Sequence, residues 1–439
     1  MSLKSSLLPY LARAITSPRT RDFKRRLRET GRMMRGGKHV VTFYFRIDDP
    51  YSWLLAQLLP EFEAHFGIKI QPRTMLYLDE SLYPALDQLR DLAPIDCARL
   101  AALHDLNFPL NWTQPDNKAC VQASQILLQH EKSDKYFSLA EQLSEALWSG
   151  KPEKVEFLLR RYDAETSDKA ALQLQARRDH FVKDGHYLTA TLHYAGEWYW
   201  GIDRLDHLTE RLARLGLGNG VSPRQYGIAK RASLKSAIKH GASEQTNRKL
   251  EMFFSFRSPY SYIALARTYQ LAEHYQLDLT VRPVLPMVMR GLSVPNAKKF
   301  YILKDAAREA AVQNVPFGFV CDPVGSGVER CMALWPFAEK EQREREYFIA
   351  AGRCIWSQGI DVSTDEGLAS VCKEAGLDWN RARRWLDDNG WRERAEQNRT
   401  DMMTRGSWGV PTFSINKQTV WGQDRFAIIE SIILQGEPL

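Results

Sequence analysis

The sequence predicts an α/β protein that carries one plan twice, each copy a βαβ unit, a helical insertion and a closing ββα unit. Three observations point to it. At 439 residues the chain is longer than one ordinary core supports, and its halves match the usual domain size. An aromatic, strand-like run leads into Pro50-Tyr51-Ser52 and again into Pro259-Tyr260-Ser261, 209 positions later. Trp200-Gly201-Ile202-Asp203-Arg204 is answered by Trp421-Gly422-Gln423-Asp424-Arg425, 221 positions later. The landmarks keep their order, as a tandem duplication requires. A third correspondence, Tyr83, Asp87 and Arg90 with Tyr301, Asp305 and Arg308, is expected between them at an offset of 218.

In the second copy, residues 250–256 alternate and are rich in aromatics, and read as a strand. Pro259 then opens a helix to residue 275, because proline suits the first helical position. Residues 277–285 read as the next strand, which makes a βαβ unit with parallel strands and a right-handed crossover. From residue 296 to 405 the pattern is helical, with segments at 339–355, 364–375 and 379–385. Short strands at 412–415 and 419–421 flank the turn Asn416-Lys417-Gln418, and residues 424–433 close with an amphipathic helix.

The first copy follows the same plan over residues 38–216. Residues 217–248 hold Gly218, Gly220, Pro223, Gly227, Gly241 and six Lys or Arg, and read as a linker before the second domain at 249–439. Residues 1–37 form a basic arm. Residues 1–40 contain eleven Lys or Arg against Asp22 and Glu29, a charge of +9; with +7 for the whole chain, the rest carries −2. The high isoelectric point therefore belongs to one segment, expected to be solvated and partly ordered, with anionic lipid or nucleic acid as its conceivable partners.

Other function classes recede. No apolar run of some 18 residues predicts a spanning helix. The apolar stretch near Leu7 is broken by Arg13 and lacks the order of a secretory signal, so a cytoplasmic protein is expected. Cys97, Cys120, Cys321, Cys331, Cys354 and Cys372 form no C-x-x-C pair and no metal-like spacing with histidine, so reduced thiols and no metal are expected. Cys321 and Cys331 are close enough in sequence to permit a redox pair without arguing for one.

Two motifs could carry chemistry. Ser258-Pro259-Tyr260-Ser261 sits where a strand ends and a helix begins; serine followed by proline is also a generic helix opening. Gly409-Val410-Pro411-Thr412-Phe413 places a proline at a strand start, where a cis bond can expose the backbone of Val410. Gly422-Gln423-Asp424-Arg425 then brings a carboxylate to the mouth of the last helix.

Residues 250–435 resemble the DsbA-like thioredoxin-fold superfamily, in the branch of 2-hydroxychromene-2-carboxylate isomerases and kappa-class glutathione transferases. That branch shows Ser-Pro-Tyr-Ser after a strand, then a pattern matched by Lys298, Tyr301, Asp305 and Arg308, then Gly-Val-Pro-Thr-Phe and Trp-Gly-Gln-Asp-Arg. The resemblance implies two tandem thioredoxin-like domains. It also implies bound glutathione, with Ser258 donating a hydrogen bond to its sulfur, Val410 before cis-Pro411 pairing with its cysteinyl part, and Gln423 and Asp424 holding its γ-glutamyl end. A helix N-terminus and a hydroxyl donor both favour thiolate over thiol. The implied reaction is isomerisation or transfer on a small, aromatic electrophile.

Departures from the family pattern matter as well. Gly291 is followed by Leu292 where relatives often carry asparagine. In the first copy Asp49 replaces the serine, Ala190 stands opposite Pro411 and Ile202 opposite Gln423, so residues 38–216 read as a structural or regulatory partner. Two rival readings remain: a thiol-disulfide oxidoreductase-like protein working through Cys321 or Cys331, and a non-catalytic two-domain scaffold.

Overall fold

A computed structural model describes residues 3–76, 85–162, 168–218, 248–292 and 296–435. Tyr83 and nearly all of the expected linker lie outside the described residues. By contacts the chain divides into two units, one of residues 1–24 with 241–438, the other of residues 25–240.

The arm departs from expectation: it is helical, as α1 (Leu3–Thr16) and α2 (Pro18–Met34). In the unit of 241–438, α1 buries Pro9, sets Tyr10 edge-on to Phe319 at 5.1 Å and brings Thr16 Oγ1 to 3.2 Å from the Gly318 carbonyl oxygen. In the other unit, Arg25 forms a bidentate pair with Glu197 at 2.7 Å, and Arg28 donates to the Ala195 carbonyl at 2.5 Å. The arm is ordered because specific partners receive its cations and rings.

The unit of residues 25–240 continues with β1 (Val40–Arg46), α3 (Pro50–Phe66), β2 (Lys69–Met75), α4 (Leu86–His104), α5 (Asn117–Gln129), α6 (Tyr136–Trp148), α7 (Pro152–Arg161) and α8 (Asp168–Lys183). It closes with β3 (Thr191–Tyr194), β4 (Glu197–Trp200) and α9 (Leu205–Ala213). The unit of 241–438 runs β5 (Lys249–Phe254), α10 (Pro259–His274), β6 (Asp278–Pro283), α11 (Asn296–Val312), α12 (Ser326–Lys340), α13 (Glu344–Trp356), α14 (Asp365–Ala375) and α15 (Trp391–Thr404). Then come β7 (Thr412–Ile415), β8 (Gln418–Trp421) and α16 (Phe426–Gln435).

Both sheets have the same order, β2-β1-β3-β4 and β6-β5-β7-β8, each with one parallel pair and two antiparallel pairs. Strand β5 turns Leu250, Met252 and Phe254 to one face, all buried, while the other face carries Lys249 and Glu251 before the buried Phe253. Phe254 packs against Phe348 of α13 at 5.2 Å, while its neighbour Phe253 points the other way into a cluster with Val284 and Met402.

Two boundaries differ from expectation. The single helix over 339–355 is two, with Gln342 between α12 and α13 at a φ of +56°. The local sequence is all good helix former. Tertiary contacts break it: Tyr347 donates to the Cys331 carbonyl at 2.6 Å and Trp335 donates to Glu344 at 2.8 Å, folding α13 back on α12. The β7–β8 turn is one residue shorter, since Asn416 and Lys417 both take positive φ, as two-residue hairpins favour.

The units also repeat individual contacts. Tyr51 donates to Asp96 at 2.8 Å, and Tyr260 to Asp305 at 2.8 Å. The Trp148 indole donates to the Ile47 carbonyl at 3.2 Å, and the Trp356 indole to that of Phe256 at 3.2 Å. The expected equivalence of Asp87 with Asp305 is therefore corrected: Asp96 is the counterpart, with Arg99 opposite Arg308, at the offset of the Pro-Tyr-Ser motif. Asp87 and Arg90 form an exposed pair, whereas Asp96 and Arg99 are buried. A spacing of four and three recurs on any helix, and only burial tells the two sets apart.

Candidate functional site

Strand β5 delivers the chain to Ser258, which caps α10 in extended geometry with Pro259 as the first helical residue. The Ser258 hydroxyl oxygen accepts from the Ser261 amide at 3.1 Å and lies 3.2 Å from the Val410 carbonyl oxygen, to which it donates. The Val410–Pro411 bond is cis. Residues 152 positions apart thus meet at one helix N-terminus, where about half a positive charge resides.

The loop bearing Val410 is tied down on each side. Thr412 donates to the Gly409 carbonyl at 2.6 Å, and the Gly422 amide donates to the Pro411 carbonyl at 3.0 Å. Gly409 is required there, because a Cβ would stand 2.8 Å from the Trp421 indole nitrogen. Arg290 donates to the Trp408 carbonyl at 3.2 Å, and burial pushes its guanidinium down to about 10.

Helix α11 supplies a buried polar face. Asp305 takes the Tyr260 hydroxyl and, at 2.7 Å, Arg308. Lys298, seven positions earlier on the same face, is nearly buried, and desolvation lowers its ammonium to about 8.

Gln423 and Asp424 separate in role. The Gln423 side chain is 1% exposed, donates to Glu309 at 2.7 Å and accepts from Gln313 at 2.8 Å, so it faces inward to α11. Its amide also donates to Asp424. The expectation that both hold a ligand directly is thus narrowed: Gln423 is engaged internally and orients Asp424, which is half-buried just before α16. Glu309, Gln313 and Arg290 were not singled out by sequence reading. For Arg290 no signal was available, while the other two sit one and two helical steps from motif residues.

Ser258 and Ser261 stand three positions apart across the opening of α10. The Ser261 hydroxyl is buried and has no hydrogen-bond partner among the described residues. All six cysteines are buried and none is in a disulfide. Burial raises Cys321 to about 11 and Cys331, Cys354 and Cys372 to about 12, which suits core thiols rather than nucleophiles.

The corresponding place in the first unit is filled by the chain itself. Asp49 caps α3 and accepts from the Tyr51 amide at 3.1 Å, Ser52 Oγ at 2.9 Å and Thr189 Oγ1 at 2.6 Å. Its pKa is raised, chiefly by burial. Ala190 takes a φ of +56°, and its carbonyl accepts from the Gly201 amide at 2.8 Å, as Pro411 does from Gly422. Ile202, Asp203 and Arg204 are buried.

Residues 249–434 match the family model described as a DSBA-like thioredoxin domain. The chain is 26% identical over 195 residues to a 2-hydroxychromene-2-carboxylate isomerase of Sphingobium xenophagum, covering 43% of this chain and 98% of that protein. It is 24% identical over 190 residues to one of Pseudomonas putida, covering 42% and 92%. Among solved structures, a 2-hydroxychromene-2-carboxylate isomerase aligns at 24% identity and a TM-score of 0.37, over 42% of this chain and 93% of the other. A probable DsbA oxidoreductase of Streptomyces coelicolor aligns at 18% identity and a TM-score of 0.35, over 44% and 92%.

Proposed function

Since residues 249–434 form a DsbA-like thioredoxin domain, we propose that they act as a glutathione-dependent isomerase or transferase on a small, aromatic electrophile. The observation that carries this reading is the Ser258 hydroxyl, held at a helix N-terminus against Val410 where a redox enzyme would place a thiol.

The residues present fit glutathione. The Ser258 proton now rests in a long hydrogen bond and can turn to a sulfur, where the helix terminus lowers the cost of a thiolate. Val410 offers backbone groups to the cysteinyl part. Asp424, positioned by Gln423, is a carboxylate for the γ-glutamyl ammonium. When bound, glutathione supplies a thiolate that adds reversibly to an electrophilic double bond and leaves after rotation, with no net redox change.

The curated relatives are named for a carboxylate substrate, and Arg290 is a cation in contact with the same loop that could meet one. The first unit, whose equivalent position is closed by Asp49, Ser52 and Thr189, serves as a structural or regulatory partner that arose by duplication. A cytoplasmic location suits the reduced thiols and the glutathione. The oxidoreductase alternative lacks a thiol at 258 or 261, and Cys321 and Cys331 are buried.

Calorimetric titration of the full chain with reduced glutathione tests the reading. One site per chain, weakened by Asp424→Ala, supports it. Absence of binding at millimolar glutathione sinks it and leaves the scaffold alternative.

A further inference from the structure

Helix α2 has two faces of different character. Arg25 and Arg28, three positions apart, hold one face to Glu197 and Ala195, and the Arg28 guanidinium lies against Gly196. Phe23, Leu27, Thr30 and Met34, at steps of four, three and four, make the opposite face. Phe23 is 62% exposed, Leu27 58% and Met34 84%, beside Met33 at 65%. No residue of α2 is buried.

Cations line both sides of this stripe. By helical position, Arg19 and Arg26 flank one side and Lys24 the other, with Arg35 in the turn just past Met34, all of them exposed. Large apolar side chains seldom stand together in water without a partner, and a stripe of them rimmed by Arg and Lys matches the acyl boundary and headgroups of a bilayer.

We infer that α2 is a docking surface for an anionic lipid bilayer, lying in the interface plane with Phe23, Leu27 and Met34 inserted and Arg19, Lys24, Arg26 and Arg35 among the headgroups. Its 17 residues reach only about 25 Å and carry too many cations to cross the bilayer. The charge distribution agrees, since residues 1–40 hold +9 and the remainder −2, so attraction is confined to the arm. Nucleic acid would reward the cations alone and leave the apolar stripe in water.

The test is co-sedimentation of the full chain with vesicles of phosphatidylcholine, alone or mixed with phosphatidylserine. Binding is expected to the mixed vesicles only, weakening as salt rises. Phe23→Ser, Leu27→Ser and Met34→Ser together should cut it at least tenfold with charge unchanged. Lys24→Ala, Arg26→Ala and Arg35→Ala together should cut it roughly a hundredfold, about fivefold for each cation. Thr30→Leu, which extends the stripe, should tighten binding to the mixed vesicles severalfold, with no more protein sedimenting when vesicles are left out. Circular dichroism should be the same for every variant. Equal binding to neutral vesicles, indifference to the serine triple, or tighter binding to a DNA duplex that survives that triple would overturn the inference.

Discussion

The Ser258 hydroxyl lies 3.2 Å from the carbonyl oxygen of Val410, so the N-cap residue of α10 donates its one proton to the residue before the cis proline. A hydroxyl has a single proton to give, and here it is given along a bond long enough to be exchanged for a stronger acceptor.

Ser258→Ala should remove that donor and leave the helix in place, since Pro259 still opens it. Loss of the cap costs about 1 kcal/mol. On the proposed reading, the ultraviolet thiolate absorbance of bound glutathione should disappear at neutral pH, with turnover falling alongside. Undiminished thiolate absorbance in the variant would remove Ser258 from its role.

Tyr260→Phe should deprive the buried Asp305 of one of its partners, at a cost of about 1–3 kcal/mol in urea denaturation. Tyr51→Phe should cost a similar amount through Asp96. A neutral effect at both positions would mean that these repeated contacts do not stabilise their units.

Lys298 brings a pH dependence of defined sign. Burial lowers its ammonium from 10.5 to about 8, so between those values the unfolded chain holds a proton that the folded chain has released. Stability should therefore rise with pH across that window. Lys298→Met should stabilise the protein below pH 8, on the order of 2 kcal/mol, with the advantage shrinking as pH climbs toward 10.5. Thermal melts of both proteins from pH 7 to 10.5 would show it, and a constant difference would contradict it.

Asp49 has the opposite sign. Burial raises its carboxyl above the ordinary 3.8, so its contribution is most favourable at acid pH and is lost as pH rises through the raised value. Asp49→Asn should be indistinguishable from the parent near pH 3 and more stable than it at neutral pH. A variant less stable at neutral pH would mean that the hydrogen bonds from Ser52 and Thr189 outweigh desolvation of the ionised group.

Much of the fold was legible in local pattern. Alternating apolar runs, the Ser-Pro and Asp-Pro helix openings and the Asn416-Lys417 turn act through neighbouring residues, so the strands, α3, α10 and the β7–β8 hairpin could be read with small errors at their ends. Ser258, Val410 and Pro411 could be named because they lie in contiguous motifs. Asp96 could not be told from Asp87, since both fall at helical spacing from a basic residue and only packing buries one of them.

What the sequence determined by itself was therefore the order and type of the elements and the short segments, around Ser258 and Val410, that meet at the N-terminus of α10. Tertiary structure alone decided where α12 gives way to α13, that Gln423 turns inward while Asp424 stays half-open, that Asp49 is enclosed by Thr189, and that the basic arm docks as helices. Each of those depends on groups that belong to different elements, and the burial and desolvation that select among equivalent local patterns exist only once those groups meet.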